Sequence, residues 1–141
     1  MNNLTKNTFK TMIWNPEKEC MSREDLHKLQ SERLSKIVRH AYDNVPMYRE
    51  RMDALGVKPE DIKSIDDIVK LPFTTKKDLR DYYPDSLFAV PRSEIVRFHA
   101  SSGTTGKPIV AGYTAHDREN WAEGTARCLA AAGASKEDTI Q

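Results

Sequence analysis

Long apolar runs are missing from this sequence. No stretch approaches the roughly 20 consecutive apolar residues that cross a bilayer as a helix, which excludes a helical membrane span. The opening Met1-Asn2-Asn3-Leu4-Thr5-Lys6-Asn7 is polar, so no secretory leader is visible. Cysteine is scarce. Cys20 and Cys128 stand far apart and match no redox or metal spacing, and a reducing cytoplasm is the expected setting. Charge of one sign is also missing: 22 Lys and Arg face 21 Asp and Glu. That near-balance excludes the basic footprint of a nucleic-acid binder. Of the four histidines, His27 and His40 share no ligand spacing and His116 falls in a helix first turn, so no metal site is expected. No Ser/His/Asp set or carboxylate pair can be assembled from spacing, and the catalytic residues stay unknown. Hydrophobic residues make up 38% of the chain, below the usual globular share. The deficit fits a piece whose core is completed elsewhere, and a polar helical region also explains it.

One stretch has residue types that dictate a chemistry: Ser101-Ser102-Gly103-Thr104-Thr105-Gly106-Lys107-Pro108. Glycine lets a backbone approach a ligand closely, and successive inward N–H groups form a concave anion site. The hydroxyls of Ser101, Ser102, Thr104 and Thr105 are donors, and Lys107 carries a full positive charge. Together these suit phosphate oxygens. A Walker A loop needs four residues between its glycines and then a helix. Here two residues separate Gly103 from Gly106, and Pro108 follows the lysine. The flanks Ile95–Ala100 and Ile109–Thr114 are rich in β-branched and aromatic residues, so the pattern reads strand, loop, strand. A Ser/Thr/Gly surface hairpin that binds nothing has the same composition. His99, two residues before the loop, is read as a strand residue that bonds within the sheet, with a phosphate contact as the alternative.

The rest of the chain reads mainly as helix. Ser22-Arg23-Glu24-Asp25 is a helix-start signature, and apolar residues from Leu26 to Tyr42 follow at helical spacing. That helix is expected to run to about Asp43 and stop before Val45-Pro46. A second runs from Tyr48 to Leu55 with Gly56 as its stop, Pro59–Ile62 forms a turn, and Ser64 opens a short third helix. Thr75 caps another that ends before Pro84, and a last helix follows Thr114 and ends at Gly133. Trp14 is expected to pack as an apolar anchor. Lys76-Lys77 reads as an exposed first turn, with a phosphate contact as the alternative.

The Ser-Ser-Gly-Thr-Thr-Gly-Lys-Pro run resembles the phosphate-binding motif of the acyl-adenylate-forming enzymes. The stretches Leu71-Pro72-Phe73-Thr74-Thr75-Lys76-Lys77-Asp78-Leu79-Arg80, Tyr83-Pro84, Leu87-Phe88-Ala89-Val90-Pro91 and Gly112-Tyr113-Thr114 are similar to phenylacetate–CoA ligases. The likeness runs from about Trp14 onward; Ser86 departs from it, standing where that family has glycine. Members are much longer than 141 residues, so the resemblance implies an N-terminal fragment. Its fold class is α/β, α+β within this fragment: a helical subdomain, a β-hairpin phosphate loop and a helix, the start of a larger α/β domain. The expected organisation is an extended segment over 1–19, a helical subdomain over 20–72, and the start of the AMP-binding domain over 73–141. The resemblance implies an AMP-forming aryl-acid–CoA ligase that uses ATP, Mg²⁺ and CoA on an aryl or acyl carboxylate. It also implies that residues 101–107 bind the nucleotide, with neither nucleic acid nor membrane as a partner, and it leaves a homodimer open. An adenylating relative with a cofactor or polysaccharide acceptor, and a stand-alone anion-binding or interaction module, remain alternatives.

Overall fold

The computed structural model describes residues 12–102 and 108–139. These divide into two compact units, one built from residues 22–116 and the other from the segments before 22 and after 116.

The larger unit begins with α2 (Arg23–Asn44); α1 (Pro16–Glu19) belongs to the smaller unit. Ser22 caps α2, its Oγ accepting from the Asp25 N–H at 3.0 Å. Val45 ends α2 in an extended conformation and is at once the N-cap of α3 (Pro46–Ala54). Proline at the first helical position has no N–H to leave unpaired, so α3 starts two residues earlier than apolar spacing alone indicates. Gly56 follows at φ 66°, the left-handed conformation that closes a helix C-terminus with least strain. Two 3-10 turns, Pro59–Asp61 and Ile65–Lys70, carry the chain back along α2. The second is an expected helix that tightened. Asp67 accepts from the backbone of Lys63 and Ser64 at its entry, and Leu71-Pro72 stops it. Val38, Met52 and Ile62 form the core of this region, with Leu34, Tyr42, Val57 and Leu71 against it. Met47, 1% exposed, is among its most buried side chains.

One polar contact fixes the connector that follows. Asp78 in α4 (Lys76–Asp81) is only 7% exposed. It accepts from Arg51 Nη1 and Nη2 at 3.0 and 2.5 Å, and from the Thr75 N–H and Oγ1 at 2.7 and 2.8 Å. Arg51 Nη1 also donates to the Phe73 carbonyl at 2.9 Å. The Arg51 guanidinium, with the Thr75 donors, holds the Asp78 carboxyl well below the usual carboxylate range. Helix α4 thus ends at Asp81, short of Pro84, and the chain runs through turns to a 3-10 turn at Arg92–Glu94 that spacing does not reveal.

Two strands complete the unit. β1 (Arg97–Ala100) pairs antiparallel with β2 (Val110–Tyr113) in the register Arg97↔Tyr113, Phe98↔Gly112, His99↔Ala111, Ala100↔Val110. Both strands are shorter than the β-rich flanks predict, although the Val96 N–H still donates to the Tyr113 carbonyl. Helices with a small antiparallel sheet make the described residues α+β, as expected for this stretch.

In the smaller unit, α1 is a short helix where an extended segment is expected. Asn15 caps it, and Pro16 occupies its first position. Most of α5 (Ala115–Ala131) lies in the same unit, and Gly133 follows it at φ 86°. Trp14 anchors through its polar edge rather than by burial alone. It is 57% exposed, and its indole N–H donates to Glu123 at 3.0 Å. Glu123 accepts also from Arg127 at 2.7 Å and Asn15 at 2.8 Å, and these partners pull its carboxyl down to about 2, Arg127 most strongly.

Candidate functional site

The hairpin is built to hold a loop. Beyond the last paired residues, Ala100 and Val110, two more bonds draw its arms together. The Ser101 N–H donates to the Ile109 carbonyl at 3.0 Å, and the Ile109 N–H donates to Ser101 Oγ at 2.9 Å. Ser101 therefore latches the root of the loop with its side chain. A hydroxyl that accepts in this way retains its own proton to donate, so the latch does not exclude a ligand contact. Of the residues assigned to phosphate binding from sequence, Ser101 and Ser102 are described, and both are exposed. Gly103, Thr104, Thr105, Gly106 and Lys107 lie outside the described residues.

One face of the hairpin is aromatic. The Phe88 and Phe98 rings stack at 6.1 Å between centroids, 28° from parallel, and the Arg92 guanidinium lies 5.5 Å from the Phe98 ring centre. A cavity of about 260 Å³ opens beside them, between Asp85, Arg92 and Phe98 and the strand ends Ala100 and Val110. It thus borders both roots of the loop. Asp85 and Arg92 are 3.6 Å apart, a loose pair at the surface. His99 lies on β1, half-buried, with the Tyr113 ring 5.2 Å away and edge-on. Lys77 is held by Asp81 one turn along α4, as an exposed first turn predicts. Arg92 and Phe88 are what the sequence reading missed. Its one available signal was Gly112 in a strand, which marks a close approach.

A second cavity, of about 350 Å³, is almost wholly apolar. Leu34, Ile37, Val38, Tyr48, Met52 and Leu87 are among the residues that line it. Among the described residues no group of three or more His, Cys, Asp or Glu is placed to hold a metal ion. None of the described helices is long and apolar enough to cross a membrane.

No family profile matches the chain. Solved structures do. A 2-hydroxyisobutyryl-CoA ligase in complex with 2-HIB-AMP and CoA superposes with a TM-score of 0.74 and 31% identity, over 84% of this chain and 26% of that one. The same enzyme in the postadenylation state gives 0.73 at 29% identity. The fold over the matched residues is that of the adenylate-forming CoA ligases.

Sequence relatives narrow the class. The phenylacetate-coenzyme A ligase of Escherichia coli strain K12 is 55% identical over 122 residues, and that of Thermus thermophilus 54% over 123. The matches take in 86% and 87% of this chain. Over these residues the chain is similar to the phenylacetate–CoA ligases, and it spans 28% of the length of the relatives it matches.

Proposed function

We propose that residues 101–107 cradle the β- and γ-phosphates of ATP in an AMP-forming ligase that joins an aryl acid of the phenylacetate type to CoA. The observation that carries this reading is the 54–55% identity to proteins named phenylacetate-coenzyme A ligase. In the reaction, a carboxylate oxygen attacks the α-phosphorus of ATP. A new C–O–P linkage forms, the α–β phosphoanhydride bond breaks, and pyrophosphate leaves with that electron pair. The CoA thiol then attacks the acyl carbonyl, the thiol proton is lost, and AMP departs. Mg²⁺ enters as the MgATP substrate. Negative charge gathers on the phosphates in the first step, so this chain's contribution there is electrostatic and positional. Main-chain N–H groups of Gly103–Gly106, the Thr104 and Thr105 hydroxyls and Lys107 are assigned that role. The Ser101–Ile109 bonds tie together the two ends of that segment.

In this reading residues 20–72 form a helical subdomain, residues 73–141 open the AMP-binding domain, and the acid and CoA are bound by parts outside this chain. A cytoplasmic enzyme, as a monomer or homodimer, suits the reaction. The 27–31% identity to a ligase acting on 2-hydroxyisobutyrate leaves an aliphatic acid as the second reading, and the stronger aryl-ligase identity favours the first. The test is Lys107→Ala in the full-length gene product, with the two half-reactions measured separately. Phenylacetate-dependent pyrophosphate exchange is expected to fall by at least tenfold, with thioester formation from preformed acyl-adenylate within about threefold of wild type. Equal losses in both steps contradict the phosphate assignment.

A further inference from the structure

Gly112 pairs directly with Phe98 across the hairpin, so both project to the same face. Its φ is not positive, unlike that of Gly56 and Gly133, so backbone freedom is not why glycine stands there. Space is. A Cβ at this position would lie 2.8 Å from Phe88 Cζ, 2.9 Å from Phe88 Cε2 and 3.1 Å from Ile95 Cδ1. The edge of the Phe88 ring occupies the gap, while its face stacks on Phe98. This one ring therefore ties the segment that carries it to both strands of the hairpin at once. Gly112 stands three residues beyond Ile109, whose N–H and carbonyl form the latch with Ser101.

We infer that Gly112, with Phe88 seated on it, is a positioning residue for the phosphate loop, fixing where the roots at Ser101 and Ile109 stand. The inference rests on the ATP-binding reading of residues 101–107, but half of its test does not need that reading. Ordinary contact begins near 3.4 Å, so Gly112→Ala must displace Phe88 or β2, by about 0.6 Å where ordinary contact is restored. A misplacement of about 1 Å caused by a mutation far from the chemistry can cost about a hundredfold, and a shift of this size is expected to cost about tenfold.

The experiment compares wild type, Gly112→Ala, Phe88→Leu and the double variant in the full-length gene product. Phe88→Leu deletes both of the colliding ring atoms, so the double variant relieves the clash. For Gly112→Ala the KM for ATP is expected to rise about tenfold, with kcat within about threefold and the KM values for carboxylate and CoA unchanged. The double variant is expected to recover most of the loss. Amide hydrogen exchange at Ser101 and Ile109, measured without ATP, is expected to quicken in Gly112→Ala and slow again in the double variant.

An unchanged ATP KM with unchanged exchange, or a raised KM that Phe88→Leu does not relieve, overturns the inference. Exchange that responds as described in a protein showing no ATP dependence at all overturns the nucleotide reading and leaves the mechanical one standing. Should Gly112→Ala fail to fold, Phe88→Ala keeps Gly112 and withdraws the ring; a KM for ATP and exchange rates equal to wild type then overturn the inference.

Discussion

Replacing Ser101 with alanine separates two roles that one hydroxyl can hold. In the structure Ser101 Oγ accepts from the Ile109 N–H at 2.9 Å at an exposed position. A neutral hydrogen bond open to water contributes about 0.5–1.5 kcal/mol net. If latching were its whole contribution, Ser101→Ala would loosen the loop root and weaken ATP binding by about 2–10-fold. A hydroxyl that also donates to a phosphate oxygen makes a bond to a charged group, worth about 1.5–3 kcal/mol more. The combined loss is then about 30-fold at least and can exceed a thousandfold. Because Ser101 falls within the segment 101–107 proposed to cradle the phosphates, the larger loss is expected. The assay is ATP binding by titration calorimetry on the full-length gene product, beside Ser101→Thr, which keeps the hydroxyl and is expected to stay within about threefold. A loss of 2–10-fold removes Ser101 from the phosphate contacts and leaves the latch. A loss below twofold refutes both.

Other expectations are more local. Met47→Ala empties a fully buried site and is expected to cost about 2–5 kcal/mol, read as a lower denaturation midpoint; a change below 1 kcal/mol contradicts the core assignment. The Asp78 carboxyl is held low by Arg51, so its contribution is complete above its ordinary value of 3.8 and is lost as pH falls toward the depressed folded value. Thermal midpoints measured from pH 7 down to pH 2 are expected to fall less steeply below pH 4 in Asp78→Asn than in wild type, and parallel curves contradict this. Phe73 is 91% exposed and Val69 86%. The 141-residue chain alone is therefore expected to self-associate in sedimentation velocity, and a monodisperse monomer at 100 µM, about the concentration at which weak contacts show, contradicts that.

The punctuation of the helices was legible in the sequence. Ser22, Ser64 and Thr75 each precede a carboxylate three residues on, and each opens an element. Gly56 and Gly133 close helices with positive φ because only glycine takes that conformation without strain. Pro46 was read as a stop when it is also a start, since a missing N–H suits the first helical position. Contacts distant in sequence were not legible. Nothing in the spacing of Trp14 and Glu123 announces that an indole N–H and a carboxylate meet across 109 positions. Phe88 stood out in the sequence only as part of the Leu87–Pro91 resemblance, and only the fold shows that its ring fills the space at Gly112. The hydroxyl of Ser101 was read as pointing to a ligand, and its bond to the Ile109 N–H depends on a register that the residue types do not set.

The role proposed for residues 101–107 is to hold the tail of the nucleotide. Its most direct test is a crystal structure of the full-length gene product with a non-hydrolysable ATP analogue bound. In that structure the β- and γ-phosphate oxygens are expected within hydrogen-bond reach of the Gly103–Gly106 amides and of Lys107 Nζ. Triphosphate density seated on other elements, with none of these groups in contact, would contradict it.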